Sequence, residues 1–194
     1  APMRLALHDP SVLPVAVTLS ELRPHWQLRR NRFGHLPAAE FGLTEPFQLL
    51  PPPLAAELRE CCARHYDSPY EFSTARTSGC LRGCTELEAL WGERSFRSSL
   101  EALASRLANT QLMMHTMALE RAHVNVQKVS QVQPVDEWHE DSMPFVLVTV
   151  LTEHTHDPGG ALLVSRETAQ GEVPPLSWKL RTPGQAVLMQ GAHL

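Results

Sequence analysis

The chain has 194 residues, 43% hydrophobic and 20% charged, with a formal net charge of −4. That size suits a single domain over 1–194 with a core of its own, and the acidic balance leaves no basic surplus for a nucleic-acid partner. The longest apolar runs, such as residues 145–151, are too short to span a bilayer, and residues 1–4 carry no secretory pattern, so a cytoplasmic protein without a membrane partner is expected.

Residues 1–50 read as irregular, with a candidate strand over 12–19. The arginine-rich segment 23–32 reads as solvated surface, with a patch for an anionic ligand as the alternative. Pro51-Pro52-Pro53 predicts a helix start. Leu54, Leu58 and Cys61-Cys62 then recur at helical spacing, with Glu57 and Glu60 on the wet side. Residues 66–83 are turn-rich, with Pro69, Gly79 and Gly83. The four cysteines, Cys61, Cys62, Cys80 and Cys84, read as reduced thiols in or near the core, because Cys80 and Cys84 offer a zinc-like spacing at one end only, with a zinc site or a disulfide as the alternative. A longer helix is predicted over 86–116 from the stripe Leu87, Leu90, Leu100, Leu103 and Leu107, with Gly92 and Ser98-Ser99 as points of division. Met113, Met114 and Met117 read as core packing. The 16 prolines argue against an all-helical bundle.

From residue 120 the hydrophobic period changes. His123-Val124-Asn125-Val126-Gln127-Lys128-Val129 alternates polar and apolar, which predicts a strand with one buried face. Residues 145–151 form a continuous β-branched run, which predicts a strand buried on both sides. Asp157-Pro158-Gly159-Gly160 and Thr182-Pro183-Gly184 read as turns, with strands over 161–165, 176–181 and 185–190. Helices followed by short strands predict an α+β chain, with a helix-rich and irregular portion over 1–119 and a sandwich or barrel over 120–194.

The candidate chemistry lies in Trp138-His139-Glu140-Asp141-Ser142. In extended backbone, side chains two apart share a face, so His139 and Asp141 point the same way. One imidazole and one carboxylate are two ligands of a two-histidine-one-carboxylate site, which leaves positions on ferrous iron open for a chelating co-substrate and dioxygen. Trp138 and Phe145 read as core packing or as the lining of a substrate pocket. His154 and His156 also alternate, and read as loop-tip residues, with a cupin-like metal site as the alternative. Arg166 and Arg181 read as surface charges or anion partners.

Several segments, in order, resemble the iron(II)/2-oxoglutarate-dependent dioxygenases over residues 120–194. They are Asp136-Glu137-Trp138-His139-Glu140-Asp141-Ser142, the strand at 145–151, Asp157-Pro158-Gly159-Gly160-Ala161-Leu162, and Pro183-Gly184-Gln185-Ala186-Val187-Leu188-Met189-Gln190-Gly191. The resemblance implies a double-stranded β-helix, or jelly roll, on which the N-terminal portion packs. It implies Fe(II) held by His139, Asp141 and a distal histidine, with 2-oxoglutarate and dioxygen as co-substrates. Hydroxylation of a small-molecule substrate, with succinate and carbon dioxide as co-products, is then expected. His193 is the histidine of this chain nearest the distal position, although it follows Gly191 sooner than the family pattern has it. The family also places an arginine about one strand later to hold the 2-oxoglutarate carboxylate. This sequence supplies none there, so the jelly roll expected here lacks its last strand. On the same resemblance, His123, Asn125 and Gln127 share a face that orients the co-substrate, with a half-exposed strand as the alternative, and Asp141 disfavours halogenation. The alternative is a non-catalytic or incomplete jelly-roll module, cupin-like, that binds a small molecule or a metal.

Overall fold

The structure is a computed structural model that describes residues 7, 12–24, 30–32, 34–66, 71–72, 79–83, 85–126, 137–153, 160–168 and 170–194. Strand β1 (Ala16–Thr18) runs directly into a short helix α1 (Leu19–Leu22). Thr18 makes that transition: its hydroxyl accepts from the Glu21 amide while its own amide donates to the Glu21 carboxylate, a reciprocal cap. The candidate strand over 12–19 therefore covers only part of what was expected. Strands β2 (Phe41–Thr44) and β3 (Phe47–Gln48) follow, and then helix α2 (Pro52–Ala63) begins at the proline run. Leu54, Leu58, Cys61 and Cys62 are buried along α2 as their spacing predicts.

The turn-rich stretch 66–83 holds two strands that sequence reading did not foresee, β4 (Glu71–Phe72) and β5 (Gly79–Arg82). Two helices come next, α3 (Thr85–Gly92) and α4 (Arg94–Ala108). The long predicted helix thus divides at Gly92, not at Ser98-Ser99. Between the two helices Glu93 accepts hydrogen bonds from the amides of Ser95 and Phe96, capping the new start. The end also comes early, because Asn109 takes a left-handed conformation at φ 47°. Beyond it, Met113 is 75% exposed and Met117 is exposed too, so neither packs in the core as expected. Both fall past the last buried residues of the α4 stripe, Leu107 and Ala108.

A short helix α5 (Ala118–Arg121) leads into β6 (His123–Val126), then β7 (Val146–Thr149), β8 (Ala161–Thr168), β9 (Gly171–Lys179) and β10 (Gln185–Met189). A 3-10 turn over Gly191–His193 follows β10. The described strands form three antiparallel sheets. The smallest is the β8–β9 hairpin, whose strands are longer than predicted. Pro174 and Pro175 fit in β9 because, among the described residues, no strand on its other edge needs their missing donors. A second sheet has the order β4-β5-β6, with Cys80 opposite Asn125.

The main sheet is centred on β10. One edge of β10 pairs with β7, from Ala186↔Thr149 to Met189↔Val146. The other pairs with β3 and β2, at Ala186↔Phe47 and Met189↔Leu43, and β1 lies outside β2. Alternation along β10 feeds two apolar cores. Ala186 and Leu188 join a cluster with α2, α3 and α4 residues, and Val187 and Met189 join one with Leu19, Leu22, Leu43 and Val164. The strands buried on both faces are therefore β10 and β2, and not residues 145–151. Val148 of β7 is 37% exposed, and among the described residues β7 pairs only with β10. A β-branched apolar run suits an edge strand as well as a central one.

The expectation for 23–32 is corrected at its first residue. Arg23 is buried, and its guanidinium donates to the His193 carbonyl and to Ser165 Oγ. Cys61, Cys62 and Cys80 are buried thiols without disulfides, as expected; Cys84 lies outside the described residues. Among the described residues no helix is long and apolar enough to cross a membrane.

Candidate metal centre

The segment that carries His139 and Asp141 runs beside the end of β10. Past the last β7–β10 pair, the Asp141 amide donates to the Gly191 carbonyl at 2.9 Å. This bond fixes how far Asp141 stands from the sheet. A β-carbon at Gly191 would overlap Asp141 Oδ2 and come within 2.9 Å of Val146 Cγ2. Glycine is thus what admits the carboxylate against the backbone at this point.

His139 Nδ1 lies 2.7 Å from the Glu137 carbonyl oxygen. A carbonyl accepts, so the ring carries its proton on Nδ1 and turns Nε2 toward Asp141 Oδ1, 3.5 Å away. A histidine oriented by a backbone carbonyl is the usual outer support of a metal ligand. The intervening Glu140 is drawn to another neighbour: its Oε2 accepts the Arg32 amide at 2.9 Å. The alternation predicted from extended backbone therefore holds for this pair.

Two electron-rich atoms face each other here, and a cation between them is what makes the arrangement favourable. A proton makes an imidazolium–carboxylate pair. A divalent metal can take the place of that proton, since ligation needs the neutral ring. Nitrogen and oxygen ligands about 2.1 Å from a cation and at right angles stand about 3.0 Å apart, so the pair closes only slightly to take one. The side chains of His139 and Asp141 are 25% and 31% exposed, which leaves solvent access on one side.

The other sequence candidates are placed differently. His193 is 2% exposed, and its amide donates to the Gln190 carbonyl. The ligand atoms of His139, Asp141 and His193 do not all come within 4.8 Å of one another; among the described residues the three-residue group that does is Cys61, His65 and Glu86. Asn125 is exposed on β6, in the sheet with β4 and β5. Trp138 is exposed, two residues before the centre of the motif. Phe145 is half-buried, packs on the helix-side core and meets the Phe41 ring at a centroid distance of 6.1 Å. Arg166 is half-buried on β8 and Arg181 is exposed. Gln127, His154 and His156 lie outside the described residues.

Residues that sequence reading did not single out hold the site's frame. Gln190, fully buried, accepts the Ala38 amide and donates to the carbonyls of Ala39 and Phe41. It locks the end of β10 to the chain entering β2. The 3-10 turn after Gln190 is fastened by Arg23 through the His193 carbonyl. A polar residue closing an apolar strand was the available signal for Gln190, and for Gly191 it was the glycine that follows.

No family model matches the chain, and neither a curated protein nor a solved structure does.

Proposed function

We propose that this protein is an iron(II)- and 2-oxoglutarate-dependent oxygenase that hydroxylates a small molecule, with His139 and Asp141 as two of its iron ligands. The observation that carries the reading is the His139 ring, tied by Nδ1 to the Glu137 carbonyl and facing Asp141 Oδ1 with Nε2 at 3.5 Å. When bound, iron with 2-oxoglutarate and dioxygen supplies oxidative decarboxylation coupled to C–H hydroxylation, with succinate and carbon dioxide as co-products. The chain's own part is to orient and hold. Glu137 sets the tautomer of His139, and Gly191 sets the approach of Asp141. His193 stands as the in-chain candidate for the third ligand, and Trp138, exposed beside the pair, as a substrate contact. A jelly roll for the C-terminal part rests on the antiparallel pairing of β7 with β10, and β1, β2 and β3 of the N-terminal part complete that sheet. Buried thiols at Cys61, Cys62 and Cys80 suit a reducing, cytoplasmic setting.

The test is succinate formation that depends on both iron and 2-oxoglutarate. Asp141→Ala is expected to abolish it with an unchanged circular dichroism spectrum. Undiminished turnover in that variant removes Asp141 from the reaction.

A second reading, a non-catalytic cupin-like binding module, draws on the separation of His193 from the pair. Anaerobic addition of Fe(II) and 2-oxoglutarate distinguishes the two. A weak visible charge-transfer band is expected for the oxygenase, and no band with no metal affinity favours the module.

A further inference from the structure

A different set of donor atoms converges where the end of α2 meets the start of α3. Cys61 sits in the last turn of α2. His65 lies four residues on, just past the cap residue Arg64, its amide donating to the Cys62 carbonyl at 2.9 Å. Positions four apart share one side of a helix, so both side chains face the first turn of α3, where Glu86 stands. Cys61 Sγ, His65 Nε2 and a Glu86 carboxylate oxygen all lie within 4.8 Å of one another. The sulfur is 3.9 Å from Glu86 Oε2, and the imidazole hydrogen-bonds that same oxygen. The thiol is buried while Glu86 is half exposed, so the group opens to solvent on the carboxylate side.

We propose that Cys61, His65 and Glu86 bind zinc(II), with a water at the fourth position. The donor set is one sulfur, one nitrogen and one oxygen, which suits a borderline-soft ion better than iron, calcium or magnesium. A thiolate and a carboxylate together neutralise a dication at a site that is half covered by protein. The C-terminal end of α2 adds the partial negative charge of the helix dipole. Tetrahedral zinc holds such ligands about 3.2–3.8 Å apart. The Cys61–Glu86 separation is already close to that, and the His65–Glu86 contact opens to admit the ion. An imidazole–carboxylate pair accounts for two of the three groups. The buried thiol donates to the same oxygen, so all three donors converge on one point that a thiophilic metal can occupy. Cysteine spacing gave no warning of this site, because it takes one cysteine and draws its other donors from different side chains.

Metal-free full-length protein titrated with cobalt(II) tests the assignment. One equivalent is expected to produce a thiolate-to-cobalt charge-transfer band in the near ultraviolet, which zinc(II) then displaces. Cys61→Ser is expected to lose the band, and Cys62→Ser to keep it. His65→Ala and Glu86→Gln are expected to weaken zinc affinity at least about tenfold. The double variant His139→Ala/Asp141→Ala is expected to retain the band, so a failure of the oxygenase reading leaves this site standing. Glu86 is solvent-facing, and its variant reports even if Cys61→Ser does not fold. The proposal is overturned if no thiolate band forms, if the band survives in Cys61→Ser, or if Glu86→Gln and His65→Ala bind zinc as tightly as the parent.

Discussion

Position 191 shows how one missing side chain can shape a site. The Asp141 carboxylate occupies the space a β-carbon would take there, and the Gly191 carbonyl holds the Asp141 amide. Gly191→Ala is expected to destabilise the fold by about 1–3 kcal/mol, the usual range for overpacking. It is also expected to weaken Mn(II) binding by His139 and Asp141. Urea denaturation and Mn(II) titration followed by electron paramagnetic resonance measure the two effects. A variant matching the parent in both would show that the carboxylate does not need the glycine. At this scale the sequence was legible in part. His139 and Asp141 could be paired because alternation in extended backbone is a local rule. Arg23 could not be read as buried. Its partners His193 and Ser165 lie 170 and 142 positions away, and a charge cluster looks the same whichever member folds inward.

Among the elements, α4 shows how a helix organises the chain that follows it. After Asn109 the backbone turns back, and Glu101 Oε1 accepts the Met114 amide at 2.9 Å while Ser105 Oγ accepts that of Leu112. The Met114 amide, aided by Arg97 and opposed by desolvation, holds the Glu101 carboxyl below the usual carboxylate range. A folded-state pKa below the unfolded one contributes stability at pH above the unfolded value. That contribution is lost as pH falls through the lower, folded value. Glu101→Gln is therefore expected to lose less stability than the parent across that acid window. Urea midpoints at a series of pH values give the comparison, and parallel losses in the two proteins would refute it. Helices α2, α3 and α4 were readable, whereas the four-residue α1 and α5 were not. Proline at the start of α2, the stripe that follows, and Gly92 between α3 and α4 are local signals. Where α4 stops was not readable, because Asn109 is an ordinary residue until its backbone goes left-handed.

For the molecule as a whole, the decisive arrangement is one strand between two cores. Leu188 faces the helix-side cluster and Val187 the cluster around α1 and β8. Leu188→Ala is expected to cost about 2–5 kcal/mol, as large-to-small changes in full burial do. Val148→Ala, on the half-exposed β7, is expected to cost under about 1.5 kcal/mol. Chemical denaturation of both variants tests whether β10, not β7, is the buried strand. The α+β class and the strand at 185–190 followed from composition and periodicity. Sheet order did not, since the partners of β10 are chosen by contacts across most of the chain and not by its neighbours. The Leu188 amide and the Thr44 hydroxyl that accepts it are 144 positions apart. That distance has a consequence in time. As the chain is synthesised, Leu19, Leu22 and Leu43 emerge long before Val187 and Met189 can cover them, and closing so long a loop comes before any contact repays it. The early strands must wait with their apolar faces open, so this is the stretch a chaperone or a neighbouring nascent chain would meet first.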